Sequence, residues 1–208
     1  MICTTMPLAA PTMMDEQDLS LLTSLELRYG LTDPALMQKL RERLELIPLE
    51  RGEVLMQAGS AVEGFYLIAE GLVRYFYVTT DGKERNKAFF REGQFIGSLS
   101  AYLTQQPVPF TIQALEPCRL YRLSLAQLEA LRESHAAEVE KLVSAVAREL
   151  FVRNELREAM LLTANAEQRY HWMLAHEGWL VDRVPQYHLA SYLGMDPVSL
   201  SRLKNKST

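Results

Sequence analysis

The residues best able to do chemistry lie between positions 184 and 204, Val-Pro-Gln-Tyr-His-Leu-Ala-Ser-Tyr-Leu-Gly-Met-Asp-Pro-Val-Ser-Leu-Ser-Arg-Leu-Lys. Read as a helix over its second half, this tract buries Leu200 and Leu203 and turns Val198, Ser199, Ser201, Arg202 and Lys204 outward. A guanidinium such as that of Arg202 can bond bidentately to O6 and N7 of guanine, while Val198 suits a thymine methyl and Ser199 a base or a phosphate. Lys204, Lys206, Gln186 and Tyr187 suit the sugar-phosphate backbone, where they position the protein without specifying sequence. The chemistry is recognition of duplex DNA, and no catalytic residue is expected.

Such a helix needs a second one to brace it. Leu189, Ala190 and Leu193 supply the apolar face of a first helix, with a small residue where the two cross. Gly194 stands at the turn, where positive φ is favoured, and Asp196 followed by Pro197 is a cap and first-turn pair for the second helix. Charge supports the assignment: the chain carries −4 overall, but residues 183–208 carry +3 and leave −7 for the remainder. The chain's end at Thr208 leaves barely a turn beyond this helix, so wing strands are expected to be absent and the backbone contacts fewer.

The remaining length, in a chain of 208 residues that is 48% hydrophobic and 23% charged, must hold one or two globular units. Glu53-Val54-Leu55-Met56, Phe65-Tyr66-Leu67-Ile68, the run from Leu72 to Val78, Lys87-Ala88-Phe89-Phe90, Thr111-Ile112-Gln113-Ala114 and Leu120-Tyr121-Arg122-Leu123 are short β-branched or aromatic runs. Turn residues at Gly52, Gly59, Gly64, Gly71, Gly82 and Gly93 separate them, which predicts a compact β-roll, a jelly-roll or double-stranded β-helix. Before it, Leu36, Met37, Leu40 and Leu44 recur at helical spacing behind Asp33-Pro34, and Trp179-Leu180-Val181 reads as a stub of strand.

From Ser124 to about Leu162 the pattern is helical throughout, too long for one small core. Val139, Leu142, Val146 and Leu150 alternate spacings of three and four, with Val143 beside them, which predicts a two-helix dimer seam on these five residues. The expected organisation is therefore α+β: a leader and short helix over residues 1–32, a β-roll over 33–123, a dimerisation helix over 124–162 and a helix-turn-helix over 163–208.

At this point the chain resembles the Crp/Fnr family of bacterial transcription regulators. The resemblance rests on the tract 184–204 together with Gly52-Glu53-Val54-Leu55, the run from Phe65 to Arg74, Asp81-Gly82-Lys83-Glu84 and Gly93-Gln94-Phe95-Ile96-Gly97, in that order and spacing. It implies a cyclic-nucleotide-binding-like sensor, a homodimer, a palindromic operator read in successive major grooves, RNA polymerase as a further partner, and a cytoplasmic location. It does not imply cyclic AMP. Where nucleotide-binding members carry a glutamate for the ribose and an arginine and serine for the cyclic phosphate, this chain has Ser98, Val108 and Pro109. A buried phosphate without a fixed counter-charge is costly. The effector region is expected at Gly97, Ser98, Leu99, Val108 and Pro109, for an unidentified ligand. The alternatives are a regulator that still binds a cyclic nucleotide, or a ligand-binding module acting on a protein partner.

Other chemistries find little footing. Cys3 and Cys118 are too few for an Fe–S cluster or a disulfide framework, and heme has no evident ligand in the roll. A cupin-type metal site needs histidines inside the barrel, but His135, His171, His176 and His188 all lie beyond it, so no metal is expected. Residues 1–14 lack the charged and apolar regions of a signal peptide, and no run of about 18 apolar residues suggests a membrane span.

Overall fold

The computed structural model describes residues 18–206; the expectations for the leader 1–14, for Cys3 and for Thr208 lie outside these residues. Two helices come first, α1 (Leu19–Tyr29) and α2 (Pro34–Arg43). Asp33 caps α2 by accepting the Ala35 amide, as its position before Pro34 predicts. Leu25, Leu31, Leu36 and Leu40 are fully buried, so these helices are part of the core and not an appendage.

The roll follows as β1 (Glu45–Leu49), β2 (Val54–Met56), β3 (Gly64–Glu70), β4 (Val73–Val78), β5 (Glu84–Phe90), β6 (Phe95–Ile96), a short helix α3 (Leu99–Thr104), β7 (Thr111–Ala114) and β8 (Cys118–Ser124). The strands form two antiparallel four-stranded sheets, ordered β1-β8-β3-β6 and β2-β7-β4-β5. Their inner faces meet over Ile68, Val73, Tyr75, Phe90, Ile112 and Leu120. Gly71 joins β3 to β4 at φ 102°, and a Cβ there would lie 2.6 Å from both Cys118 Sγ and the Pro117 carbonyl, so only glycine fits. Cys118 itself is packed in the core, and burial pushes its thiol pKa up, away from nucleophilic use.

The helical stretch after the roll is two helices, not one. Ser124 starts α4 (Leu125–Ser134) with a reciprocal capping box to Gln127, and the chain breaks at His135 (φ −142°, ψ 48°) before α5 (Ala136–Thr163) begins. Then come α6 (Ala166–Glu177), α7 (Leu180–Arg183), α8 (Gln186–Tyr192) and α9 (Pro197–Lys206). The expected strand at Trp179-Leu180-Val181 is the helical turn α7; Leu180 is fully buried, and its apolar neighbours pack on the C-terminal core and pair with no strand.

The residues of the dimer seam expected on α5 are packed within the protomer. Val139 and Leu142 are only 2% and 7% exposed within the protomer, packed with α1, α2 and α4. Val143 and Val146 face Phe65, Phe95 and Leu128 across a small apolar cavity, and Leu150 packs toward the core of the roll. The three-four spacing is real, but the surface that it covers belongs to the same chain. The large apolar residues that α5 leaves exposed are Phe151 (62%), Val152 (48%), Leu156 (48%) and Leu162 (77%).

Candidate nucleic-acid interface and the latch behind it

The C-terminal helices share a core with the roll. Leu72 and Phe89 of the roll are fully buried among Met173, Leu180, Leu189, Ala190, Tyr192, Leu193 and Leu200. Gly194 takes φ 64° between α8 and α9, and Asp196 caps α9 by accepting from the Ser199 amide (2.8 Å) and hydroxyl (2.6 Å). Arg169 of α6 closes the turn by donating to the carbonyls of Ala164, Leu161, Leu193 and Gly194, which are the orphan acceptors at the ends of α5 and α8.

On α9, about 100° per residue separates successive side chains. Leu200 is fully buried; Val198 (61% exposed) and Arg202 lie opposite it, and Asn205 joins them on the same exposed face. Asn205 was missed by sequence reasoning, although its i+3 spacing from Arg202 could have found it. The other candidates sort differently. Ser199 spends its hydroxyl on the Asp196 cap, Ser201 is half-buried at the flank, and Lys204 is half-buried on the Leu200 side. Lys206 pairs with Glu167 at 3.1 Å, and Gln186 donates to the Pro197 carbonyl, which ties α8 to α9. Tyr187 stands 59% exposed at the start of α8. Part of the basic excess is also neutralised, since Arg183 bonds both Glu116 (2.5 Å) and Glu92 (2.9 Å), and these carboxylates raise its pKa further.

Behind this face, α8 lies on β5 through a buried polar network. Arg74, 4% exposed, pairs with Glu84 at 2.6 Å and donates to Gln113, to Asn86 and to Nδ1 of His188. Asn86 donates to His188 Nδ1 (3.1 Å) and to the His188 carbonyl (3.1 Å), and its own amide donates to Ser191 Oγ. Arg157 of α5 donates to the carbonyls of Asn86 and Tyr192. The roll, α5 and the first helix of the pair are thus joined at one point, by residues 114 positions apart that no motif connects.

Because His188 accepts from two donors and is buried beside the Arg74 cation, it is held neutral, its pKa pushed down to about 4 by burial first and by Arg74 second, against an opposing pull from Glu84. The unfolded imidazole titrates near 6.5, so the stabilisation is complete above about pH 6.5 and is lost as pH falls toward 4. Its size is on the order of 2–3 kcal/mol. Urea unfolding midpoints of the wild type are expected to fall between about pH 6.5 and pH 5, where carboxylates titrate little, and a His188→Gln variant should lose that dependence. An equal fall in both proteins would exclude His188 as its source.

The expected effector region divides. A cavity of about 260 Å³ opens between the roll and α5, lined by Tyr75, Lys87, Phe90, Phe110 and Phe151 with Gly97 and Leu99. Ser98, Val108 and Pro109 do not line it. Ser98 is fully buried and accepts the Ala101 amide at the start of α3, Val108 is 1% exposed in the core of the roll with its backbone paired to the turn at Gly59 and Ser60, and Pro109 points to solvent. Among the described residues, no group of histidine, cysteine or carboxylate side chains could hold a metal ion, and no helix is long and apolar enough to cross a membrane.

Comparison with known proteins agrees with the roll. Residues 46–135 match the family described as cyclic nucleotide-binding domain. By sequence, the chain is 35% identical over 72 residues to the potassium channel SKOR of Arabidopsis thaliana, a match that covers 35% of this chain and 9% of the channel. By structure, it is similar to FixK2 from Bradyrhizobium japonicum (TM-score 0.68, 19% identity, 78% of this chain and 83% of that one). It is also similar to the c-di-GMP responsive global regulator CLP of Xanthomonas campestris (TM-score 0.70, 15% identity, 84% and 91%). The channel match is confined to a segment shorter than the roll, whereas both structural matches extend over most of the chain.

Proposed function

We propose that this chain is a DNA-binding transcription regulator of the Crp/Fnr type, working as a homodimer on palindromic duplex sites, without catalysis and in the cytoplasm. The observation that carries the reading is the α8–Gly194–α9 hairpin, which presents Val198, Arg202 and Asn205 to solvent on the face opposite Leu200.

The roll is the sensor, and cyclic AMP does not fit it. In the loop where a cyclic phosphate would need its cation, Val108 is buried in the core and Ser98 is occupied as a helix cap. The cations at the cavity, Lys87 and Arg153, come instead from β5 and α5. A phosphate placed at the loop would lack a counter-charge, and binding would carry the full cost of its desolvation.

Selection of fragments from a random duplex library by the purified protein tests the reading, and a two-fold symmetric consensus is expected. Arg202→Ala should then weaken binding to that consensus by about 1–3 kcal/mol, roughly five- to 150-fold, and relax the choice at one base of each half-site. Recovery of no consensus, or an unaltered preference in Arg202→Ala, would sink the proposal. RNA polymerase becomes a partner to test once a site is known.

A further inference from the structure

The cavity between the roll and α5 carries an unusual chemistry for its size. Four aromatic rings line it: Tyr75, Phe90, Phe110 and Phe151. Tyr75 packs against Phe90 at 4.5 Å and stacks on Phe110 at 4.7 Å between ring centroids. The Tyr75 hydroxyl is already satisfied, since it donates to the Gly97 carbonyl and accepts from the Gly97 amide. Two cations and no carboxylate complete the lining, with Ser100 and Asn154 as its neutral hydrogen-bonding groups.

The two cations are not equivalent. Arg153 pairs with Glu177 at 3.0 Å and donates to the Phe89 carbonyl. Lys87 is half-buried, and among the described residues it meets no carboxylate; its recorded contacts are Asn154 Oδ1 at 3.5 Å and the face of Phe110 at 5.9 Å. The position of Lys87 has a cause in the strand. Tyr75 is paired with Ala88 and Phe76 with Asn86, so Lys87 is the extra residue of a bulge, the device that re-aims a side chain. Burial, and then the neighbouring Arg157 and Arg153, push its pKa down. That is the condition of a cation awaiting an anion.

We propose that the cavity binds a small organic carboxylate with an aromatic or other apolar body, the ring lying among Tyr75, Phe90, Phe110 and Phe151 and the carboxylate on Lys87. The volume of about 260 Å³ lies below the roughly 300–1,000 Å³ of sites for drug-sized ligands, which selects against anything as large as a nucleotide. The inference deepens the sensor reading above and rests on it for its biological meaning. It also supplies a path to the DNA face: Asn86, next to Lys87, grips His188 of α8, and Glu177, the partner of Arg153, accepts from the Tyr192 hydroxyl of α8. A ligand that draws Lys87 inward therefore pulls on the strand that holds the helix pair.

Calorimetric titration of the full chain near neutral pH with phenylbutyrate, phenylbutanol, phenylbutylamine and cyclic AMP tests this directly. Phenylbutyrate should bind at least about tenfold more tightly than the alcohol or the amine, Lys87→Met should lose about tenfold in affinity for the acid, and Lys87→Arg should retain most of it. Equal binding of acid and alcohol, no binding of the acid, an unaltered affinity in Lys87→Met, or tighter binding of cyclic AMP would each overturn the proposal. Should Lys87→Met not fold, the comparison of acid with alcohol on the wild type decides. The outcome is separable from the regulator reading: a protein that binds the acid but no duplex refutes that reading alone, and one that binds a consensus duplex but no acid refutes only this inference.

Discussion

Replacing Arg74 with alanine is expected to destabilise the protein by about 2–4 kcal/mol, and to do so at the junction of the roll and the C-terminal helices. Five nitrogen-mediated contacts converge on this one guanidinium: Glu84 at 2.6 Å, Gln113 at 2.9 and 2.6 Å, Asn86 at 3.2 Å and His188 at 3.3 Å. Phe76 adds a ring face 4.0 Å from its centre. Deleting the cation lets Glu84 rehydrate, because its side chain is 47% exposed. Asn86 and His188 have no such escape: they are 2% and 5% exposed, and each would lose a partner in a site too closed for free exchange with water. The loss should not be uniform. Since β5 meets α8 through these residues, urea unfolding monitored by Trp172 and Trp179 in the C-terminal region is expected to precede loss of the roll's strand signal in Arg74→Ala, with the two coincident in the wild type. A midpoint within about 0.5 kcal/mol of the wild type would show that the network is ornamental.

That junction is also where sequence reasoning stops. The strands of the roll were legible from runs such as Phe65-Tyr66-Leu67-Ile68, because short apolar runs rich in β-branched or aromatic residues are bounded by turn residues; three consecutive residues of this one are buried. Strand β1 was not assigned, since Pro48 weakens a strand signal; the structure tolerates it because β1 is an edge of its sheet. Strand β6 has two residues and α3 six, too few to show a period. The helix pair was legible because each of its special positions has a local cause: a positive φ at Gly194, a cap at Asp196, a fixed φ at Pro197. By contrast, Arg74, Asn86 and His188 gain their roles only from pairing across about half of the chain; Arg74 and His188 each fall in a recognisable stretch, but nothing in either stretch says that the two meet. The cavity lining was half legible for the same reason. Gly97 and Leu99 are reached by following the loop, whereas Lys87 and Phe151 come from a bulge and from a helix face that only the fold brings together.

The same limit bears on the dimer seam expected from the spacing of α5, and it sets the largest functional effect to be expected. Periodicity states that a helix has an apolar face but not what covers it. On α5 the face carrying Val139 and Leu142 is covered by the chain's own α1, α2 and α4, which leaves Ser144, Ala147, Phe151, Asn154 and Glu158, again spaced by three and four, outside that core, with Ala147, Phe151 and Asn154 also bordering the cavity against the roll. Phe151 is the anchor of this row, 62% exposed and close to the equally uncovered Leu103. If the chain is the homodimer proposed above, this exposed ring on a helix of 28 residues is the residue to anchor the contact. Phe151→Glu should therefore place a desolvated carboxylate in the contact, beside Glu155 and Glu158, and convert a dimer to a monomer in sedimentation equilibrium. Because binding at a two-fold site depends on tethering two reading heads, the loss of the dimer should lower affinity for a palindromic duplex by about 10²–10⁴-fold, with little change in affinity for a single half-site. Folding should be preserved, since the wild-type ring is exposed in the protomer. Val139→Ala is expected to behave in the opposite way, costing on the order of 2 kcal/mol in urea unfolding while leaving the dimer and its DNA affinity in place. If Val139→Ala dissociates the dimer and Phe151→Glu does not, then the seam runs along the inner face after all, and α1 and α2 must leave it when two chains meet.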